Sequence, residues 1–350
     1  MSNVNAVQYL GTGTDDVDLA LKIYSGVFTE AWRAHAKLFT SDVPVIHRKT
    51  MAMGKSYQVL AFAEMPEPEQ EYTPGIELLG QNYAVDEYVI TRDKYVIEHN
   101  WVPRDAMRTD HFEILPRIAK THARKIPMTI DRRLFITSAL AARAAAKTKN
   151  GLNVNFGGNR VTRTGGSLAS AYPKSATGAA NFRADLRNLG QLMDEDNIPP
   201  DDRWLWITPY MAHVLSYDNS GQVFSRDYIE TTDGNNVMRR EVRIIDGFKV
   251  IDERVNTTTN NGSMPDQNIT TGPTKYQADF SVQSATGSPV ALALCQGPEG
   301  DAAVSMGTWE TVQNFVQYYP DKLSWLVASF ILCGIGQMSP QCAGSIEVIT

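Results

Sequence analysis

Between Ser56 and Val85 the chain carries Pro66, Pro68 and Pro74 and five carboxylates (Glu64, Glu67, Glu69, Glu71 and Glu77), with no Lys or Arg. Proline has no N–H to give to a β-ladder, so this stretch cannot be a central sheet strand. Gly54 to Gly80 therefore reads as an extended excursion with short or weak pairing. It is long for a connection inside a compact domain. The burial its own fold cannot supply is most simply supplied by another subunit.

A strongly basic helical stretch follows, with eleven basic and four acidic residues between Arg104 and Lys149. Across Arg104 to Arg187 the balance is +11 in a chain of net charge −6, which leaves −17 elsewhere. Such polarity can steer two copies into register, or present a basic surface to phosphate or to an acidic neighbour. The competing reading is that both segments are ordinary solvated faces. No Cys/His finger spacing, basic region with heptads or paired aromatic ribonucleoprotein signature is present, so sequence-specific nucleic-acid reading is not expected.

The 350 residues are enough for two or more lobes. Cys295, Cys333 and Cys342 have no metal or redox spacing and read as free thiols in a reducing cell. No basic n-region precedes an apolar stretch at the N-terminus, so a secretory signal is not expected. The uncharged run Trp325–Gly336 is too short for a membrane span of ~20 residues and reads as buried helix. The Asn-x-Ser/Thr patterns at Asn256, Asn261 and Asn268 read as polar loop sequence.

Periodicity sets out the remaining elements. Asp18 to Phe39 suits an amphipathic helix presenting Leu19, Ile23, Phe28 or Val27, Trp32 and Leu38, after a leading segment that is mobile until bound. Tyr83 to Ile97 alternates as a strand. A helix begins near Asp105, with an apolar stripe through Ile114, Ile118, His122, Ile126, Ile130 and Leu134 that runs on into an alanine-rich end. Pro116 and Pro127 leave two forms open, one long bent helix or two with a break near Pro127. Asn150 to Gly178 reads as a glycine-rich flap, followed by a short helix over Ala180–Met193 and a strand over Trp204–Thr208. Thr208 caps the next helix, with Pro209 at its first position. Val242–Ile245 and Phe248–Ile251 form a hairpin around Asp246-Gly247. Val290–Leu294, Gly307–Tyr318 and Ser345–Ile349 read as strands and Asp321–Cys333 as a packed helix, giving an α+β chain without solenoid or propeller repeats.

Catalytic and ligand motifs are weak. Gly54-Lys55-Ser56 resembles the end of a phosphate loop, but the first glycine of that pattern falls on Lys49. The six histidines make no HExxH or i,i+4 pair, and Asp15, Asp16 and Asp18 do not continue as an EF-hand loop. No serine elbow appears. The expectation is no enzyme, no cofactor and no metal.

The ordered set Gly54-Lys55-Ser56, Tyr72-Thr73-Pro74-Gly75, Asp105-Ala106-Met107, Ile207-Thr208-Pro209, the hairpin Arg243 to Val250 and the ending Gly334 to Val348 resembles major capsid proteins of T7-like tailed phages. The resemblance runs from about Lys22 to the end and implies the HK97-type capsid fold. It implies an N-terminal arm over 1–49, an extended E-loop over 50–82, and a peripheral domain with spine helix and flexible flap over 83–179. An axial domain over 180–306 follows, then a peripheral strand and C-terminal return over 307–350. The prolines in the spine and the glycine-rich flap depart from the simplest family pattern.

The implied function is self-assembly, as pentamers and hexamers, into an icosahedral T=7 shell around double-stranded DNA. Assembly would take place in the host cytoplasm, with a scaffolding protein, a portal at one vertex, a possible cement protein and no membrane. An HK97-type cellular compartment and an oligomeric enzyme are the other readings. Candidate subunit contacts are Glu67, Glu69, Glu71, Tyr72, Ile76 and Leu78 on the arm and Arg117, Lys120, Arg124, Lys125, Arg132 and Arg133 on the spine. The basic set would otherwise lie along non-specifically bound DNA. A covalent bond from Lys55 to an Asn of a neighbour, known among relatives, is not expected.

Overall fold

The computed structural model describes residues 14–35, 45–63, 83–105, 114–217, 244–252, 267–282, 286–297 and 301–350. In chain order the elements are α1 (Thr14–His35), β1 (Ile46–Thr50), β2 (Ser56–Phe62), β3 (Val85–Thr91), β4 (Val96–Pro103), α2 (Ile114–Ala142), β5 (Lys147–Lys149), β6 (Leu152–Asn155) and β7 (Asn159–Thr164). They continue with α3 (Leu168–Ala171), α4 (Ala176–Glu195), β8 (Trp204–Ile207), α5 (Pro209–Leu215), β9 (Ile244–Ile245), β10 (Phe248–Asp252), β11 (Asn268–Ile269) and β12 (Ala278–Asp279). The last four are β13 (Ser288–Leu294), β14 (Val304–Tyr319), β15 (Ser324–Gln337) and β16 (Ala343–Ile349).

Two sheets carry the chain. The first has the order β1-β14-β15-β4 and the second β7-β16-β13-β8-β10-β9, while β2-β3, β5-β6 and β11-β12 stand as separate pairs. The single helix α2 runs past both sheets, about 43 Å long at 1.5 Å per residue. Its buried side packs on α1, β4, β14 and β15 at one end and on β13 and β16 at the other. One hydrophobic core therefore passes from Trp325, Val327 and Ile331 in the first sheet to Trp206, Leu292 and Ile346 in the second. Phe135 of α2 meets Trp206 edge-on at 6.2 Å.

Pro127 does not break α2. It lies inside the helix with its ring buried, and Pro116 falls in the first turn, where a missing donor is tolerated. Of the two forms left open by the sequence, the structure takes the single helix. Thr208 accepts from Met211 N with Pro209 beside it, as its sequence suggests. The Asp246-Gly247 turn has φ of 45° and 88°, the left-handed pair of a type I′ hairpin.

Three expectations are corrected. Asp321–Cys333 is not a helix. Pro320–Lys322 forms a single 3₁₀ turn, Leu323 reverses the chain at φ 45°, and Ser324–Gln337 pairs antiparallel with β14 along most of its length. A short uncharged apolar run has no periodicity to separate strand from helix, and here pairing with a long neighbour decides. Asn150–Gly178 is not a flap either. Asn150 and Gly151 form the tight turn of β5–β6, and β7 joins the second sheet parallel to β16. In α1 the buried stripe is Tyr24, Phe28 and Trp32, an i, i+4, i+8 series, whereas Ile23 is 41% exposed. Leu38 lies outside the described residues.

Candidate functional site

The β2–β3 hairpin shows how sequence alternation makes a contact surface. Tyr57 and Ile90 turn inward and pack with Trp309 and Leu332. Tyr57 Oη reaches the buried Ser305 hydroxyl, which lies 2.8 Å from His47 Nδ1. The opposite face bears Leu60, Phe62 and Val89, of which Leu60 and Phe62 are 61% and 62% exposed. A side chain of that kind gains ~1.5–3 kcal/mol on full burial, so two neighbouring ones make this face adhesive.

The hairpin is tied to the body at two levels. At its root Arg92 N donates to Lys55 O at 2.8 Å, and Asp93 just beyond is almost wholly buried. Asp93 accepts from Tyr276 Oη at 2.7 Å and pairs with Lys275 at 2.5 Å and with Arg133 of α2 at 3.3 Å. Further out the ties are partly exposed, through the lysines. Asp86 pairs with Lys147 and Lys149, and Asn155 Nδ2 donates to Tyr88 Oη at 2.7 Å. The hydrogen bond from Lys147 holds the Asp86 carboxyl below the usual carboxylate range, helped by the backbone N–H of Glu87.

A second apolar surface covers the outer face of the first sheet. Along β4, Val102 faces the core while Ile97, His99 and Trp101 face out. Ile97, Trp101 and Phe315 are all more than a third exposed, as are the flanking Tyr95 and Leu323. Their neighbours hold them in register: Tyr95 meets Phe330 edge-on at 5.7 Å, Trp101 meets Tyr319 at 5.2 Å, and Lys322 lies 4.0 Å over the Trp101 ring. β4 is also an edge strand of its sheet among the described residues, so backbone as well as side chains faces outward there.

The candidate contacts drawn from the sequence divide. Glu67, Glu69, Glu71, Tyr72, Ile76 and Leu78 lie outside the described residues. Arg117, Lys120 and Arg124 share an exposed side of α2. Lys125 pairs with Glu98 at 3.8 Å, Arg132 is half-buried, and Arg133 is committed to Asp93 and stacks over Tyr276 at 5.2 Å. The basic cluster is therefore two groups, an exposed row and an internal tie.

Sequence reasoning missed that tie and a second one around Glu347, which is fully buried. Arg143 Nε donates to Glu347 Oε1 at 2.9 Å and Arg160 Nε to Oε2 at 2.8 Å. Arg143 also donates to the Asp279 and Gly287 carbonyls at 3.0 and 2.8 Å. The partners stand far apart in sequence. An arginine just past the alanine-rich end of a helix and an isolated glutamate in an apolar terminal strand were the available signals.

The phosphate-loop resemblance does not carry into the structure. Ser56 begins a β-strand rather than the helix that a phosphate loop requires. Among the described residues no group of three His, Cys, Asp or Glu side chains is placed to hold a metal ion, and no helix is long and apolar enough to cross a membrane. All three cysteines are buried and unpaired. Burial pushes the Cys295 thiol up to about 12 and Cys333 up to about 11, which disfavours the reactive thiolate.

The sequence model of the Gp10A-like major capsid proteins matches residues 62–346. No curated protein sequence matches the chain. Among solved structures, the capsid of cyanophage P-SCSP1u superposes with a TM-score of 0.70 at 18% identity, over 90% of this chain and 89% of that one. The mature capsid of bacteriophage PhiM1 gives 0.66 at 16%, over 90% and 92%, and the capsid of Ralstonia phage GP4 gives 0.56 at 14%, over 89% and 88%. At these identities the likeness is one of fold, the α+β fold of HK97-type capsid proteins.

Proposed function

Because the chain belongs to the Gp10A-like major capsid protein family, we propose that it is the shell subunit of a T7-like tailed phage. Copies assemble as pentamers and hexamers into an icosahedral shell that encloses double-stranded DNA. The role is mechanical rather than catalytic. The observation that carries this reading is the pair of exposed apolar sheet faces on one chain, Leu60 and Phe62 on a projecting hairpin and Ile97, Trp101 and Phe315 on a broad sheet. Adhesive faces left open in a single chain are suited to burial against copies of itself.

In this reading β2–β3 is the base of the E-loop, and the acidic 64–82 segment beyond it crosses to the neighbouring subunit. α2 is the spine, and the first and second sheets belong to the peripheral and axial domains. A scaffolding protein, a portal and a cement protein are the expected partners, and DNA contact is weak and independent of sequence.

The test is coexpression with the candidate scaffolding protein, followed by electron microscopy. Wild-type chains should form closed icosahedral particles, while a Leu60→Ser/Phe62→Ser variant should remain folded and give few or none. Absence of wild-type particles would count against the shell reading, and normal particles from the variant against the role of the hairpin. Reversal of Glu67, Glu69 and Glu71 to Lys should lower particle yield and alter its salt response without unfolding the subunit. An unchanged yield and salt response would remove the electrostatic part of the account.

A further inference from the structure

Where α1, α2 and the first sheet meet, a row of polar side chains runs inward, and its inner three members are sealed from solvent. Tyr24 and Ser329 are fully buried and His122 is 1% exposed. Tyr24 Oη lies 2.7 Å from His122 Nδ1 and 2.5 Å from Ser329 Oγ. Ser329 donates to Asn314 Oδ1 at 2.8 Å, and Asn314 Nδ2 donates to Ser25 Oγ at 3.4 Å.

Counting hydrogens fixes the direction of the row. The one hydroxyl hydrogen of Ser329 goes to Asn314, so Ser329 accepts from Tyr24. The Tyr24 hydrogen is then used, so the Tyr24 oxygen accepts from His122, whose Nδ1 carries the ring proton. What remains is His122 Nε2, a buried lone pair with no hydrogen-bond partner among the described residues.

We propose that this junction is an acid-triggered release point, at which a proton taken up by His122 Nε2 unseats α1 from α2 and the first sheet while the rest of the chain stays folded. A second N–H on the ring would find no acceptor within hydrogen-bond reach among the described residues. The surrounding charges oppose it as well. Lys125 on α2 and His99 on β4 have the same sign, and Glu98 on β4 is already paired with Lys125. From α1 the facing titratable group is Tyr24, and the β14 and β15 members, Asn314 and Ser329, are uncharged and already engaged.

Burial first, then Lys125 and His99, hold the ring down to about 4. With α1 displaced, the ring meets water and returns toward its ordinary 6.5. The open form therefore binds more protons than the closed one between these limits. Opening becomes easier as pH falls through that window, by up to about tenfold per pH unit, and is independent of this group above it. α1 is the part that yields, because α2 is held along both sheets while α1 rests on Tyr24, Phe28, Trp32 and this row.

The experiment is amide hydrogen exchange on the full-length chain between pH 6.5 and 4.5, corrected for intrinsic exchange. Wild-type residues 21–35 should lose protection by about 40-fold relative to β13 and β16, His122→Gln should abolish that dependence, and His99→Gln should retain it. A dependence that survives His122→Gln, or α1 protection that does not change in the wild type, would overturn the proposal. Should His122→Gln fail to fold, imidazole ¹⁵N NMR of the wild type decides. A His122 ring that protonates near pH 6.5 while α1 stays protected is the contrary result.

Discussion

Glu347 is fully buried and paired with two arginines, an arrangement that only well-placed partners can sustain. Arg143 gives it two hydrogen bonds and Arg160 one, and Ser345 adds a fourth at 3.1 Å. Removing one member of such a set leaves the others desolvated and uncompensated, a loss of ~3–5 kcal/mol. Glu347→Gln should accordingly lower the unfolding midpoint in urea far more than Arg187→Gln, whose guanidinium is 61% exposed beside Asp246. Equal shifts for the two would show that the buried set holds nothing together. None of this is legible in the sequence, because the pairing depends on how β7, β16 and the end of α2 are brought together in space. The Asp246-Gly247 turn was legible, since its dipeptide alone demands left-handed backbone at both positions. Gly334 lies between the two cases. The residue is visible, but its reason, a backbone Thr91 oxygen that an added Cβ would meet at 2.3 Å, belongs to a strand more than two hundred residues away.

At the scale of elements, attachment differs sharply between the two segments at the edge of the body. α1 is held by apolar burial, with Tyr24, Phe28 and Trp32 stacked along one side and ring centroids 6.1 and 5.6 Å apart. Phe28→Ala should weaken that docking by ~3–5 kcal/mol, so that limited proteolysis cuts within 21–35 while the two sheets remain intact. Cleavage spread over the whole chain would mean instead that α1 is part of one cooperative unit. The β2–β3 hairpin is held further out by the pairs of Asp86 with the half-exposed Lys147 and Lys149. Asp86→Asn should speed amide exchange in residues 56–62 and 85–90. About 0.5 M salt should do the same to the wild type and add little to the variant. Periodicity identified α1, but its single strand over Tyr83–Ile97 is two, β3 and the start of β4, which pair in different sheets. It misassigned β15 because an apolar run buried on both faces looks alike in either conformation, and it missed β5–β6 because Asn150-Gly151 was read as the start of a flap rather than as a hairpin turn.

For the whole molecule, the decisive feature is that α2 is common to both sheets. The sequence left open a break in the helix near Pro127. In the structure the proline sits inside an unbroken helix, and every residue from Leu134 to Ala139 is buried. A helix enclosed in that way acts as a strut, and Arg133–Asp93 at one level with Arg143–Glu347 at another fixes it to the sheets on either side. The candidates for movement are the β2–β3 hairpin, whose outer ties run to half-exposed lysines, and α1, which packs on α2 and β14. If the shell matures by expansion, the movement should be confined to these parts while the two sheets and α2 travel as one body. Amide exchange compared between precursor and mature particles should differ within 21–35, 55–63 and 83–92 and be unchanged in 204–207, 288–294 and 130–142. Altered protection in the latter three segments would mean that the strut itself yields. The exposed row Arg117, Lys120 and Arg124 rides on that rigid helix, so its replacement by Gln should leave subunit stability intact and act on assembly at least as strongly as on DNA retention. Normal particles with a selective packaging defect would reverse that order and place the row against the genome.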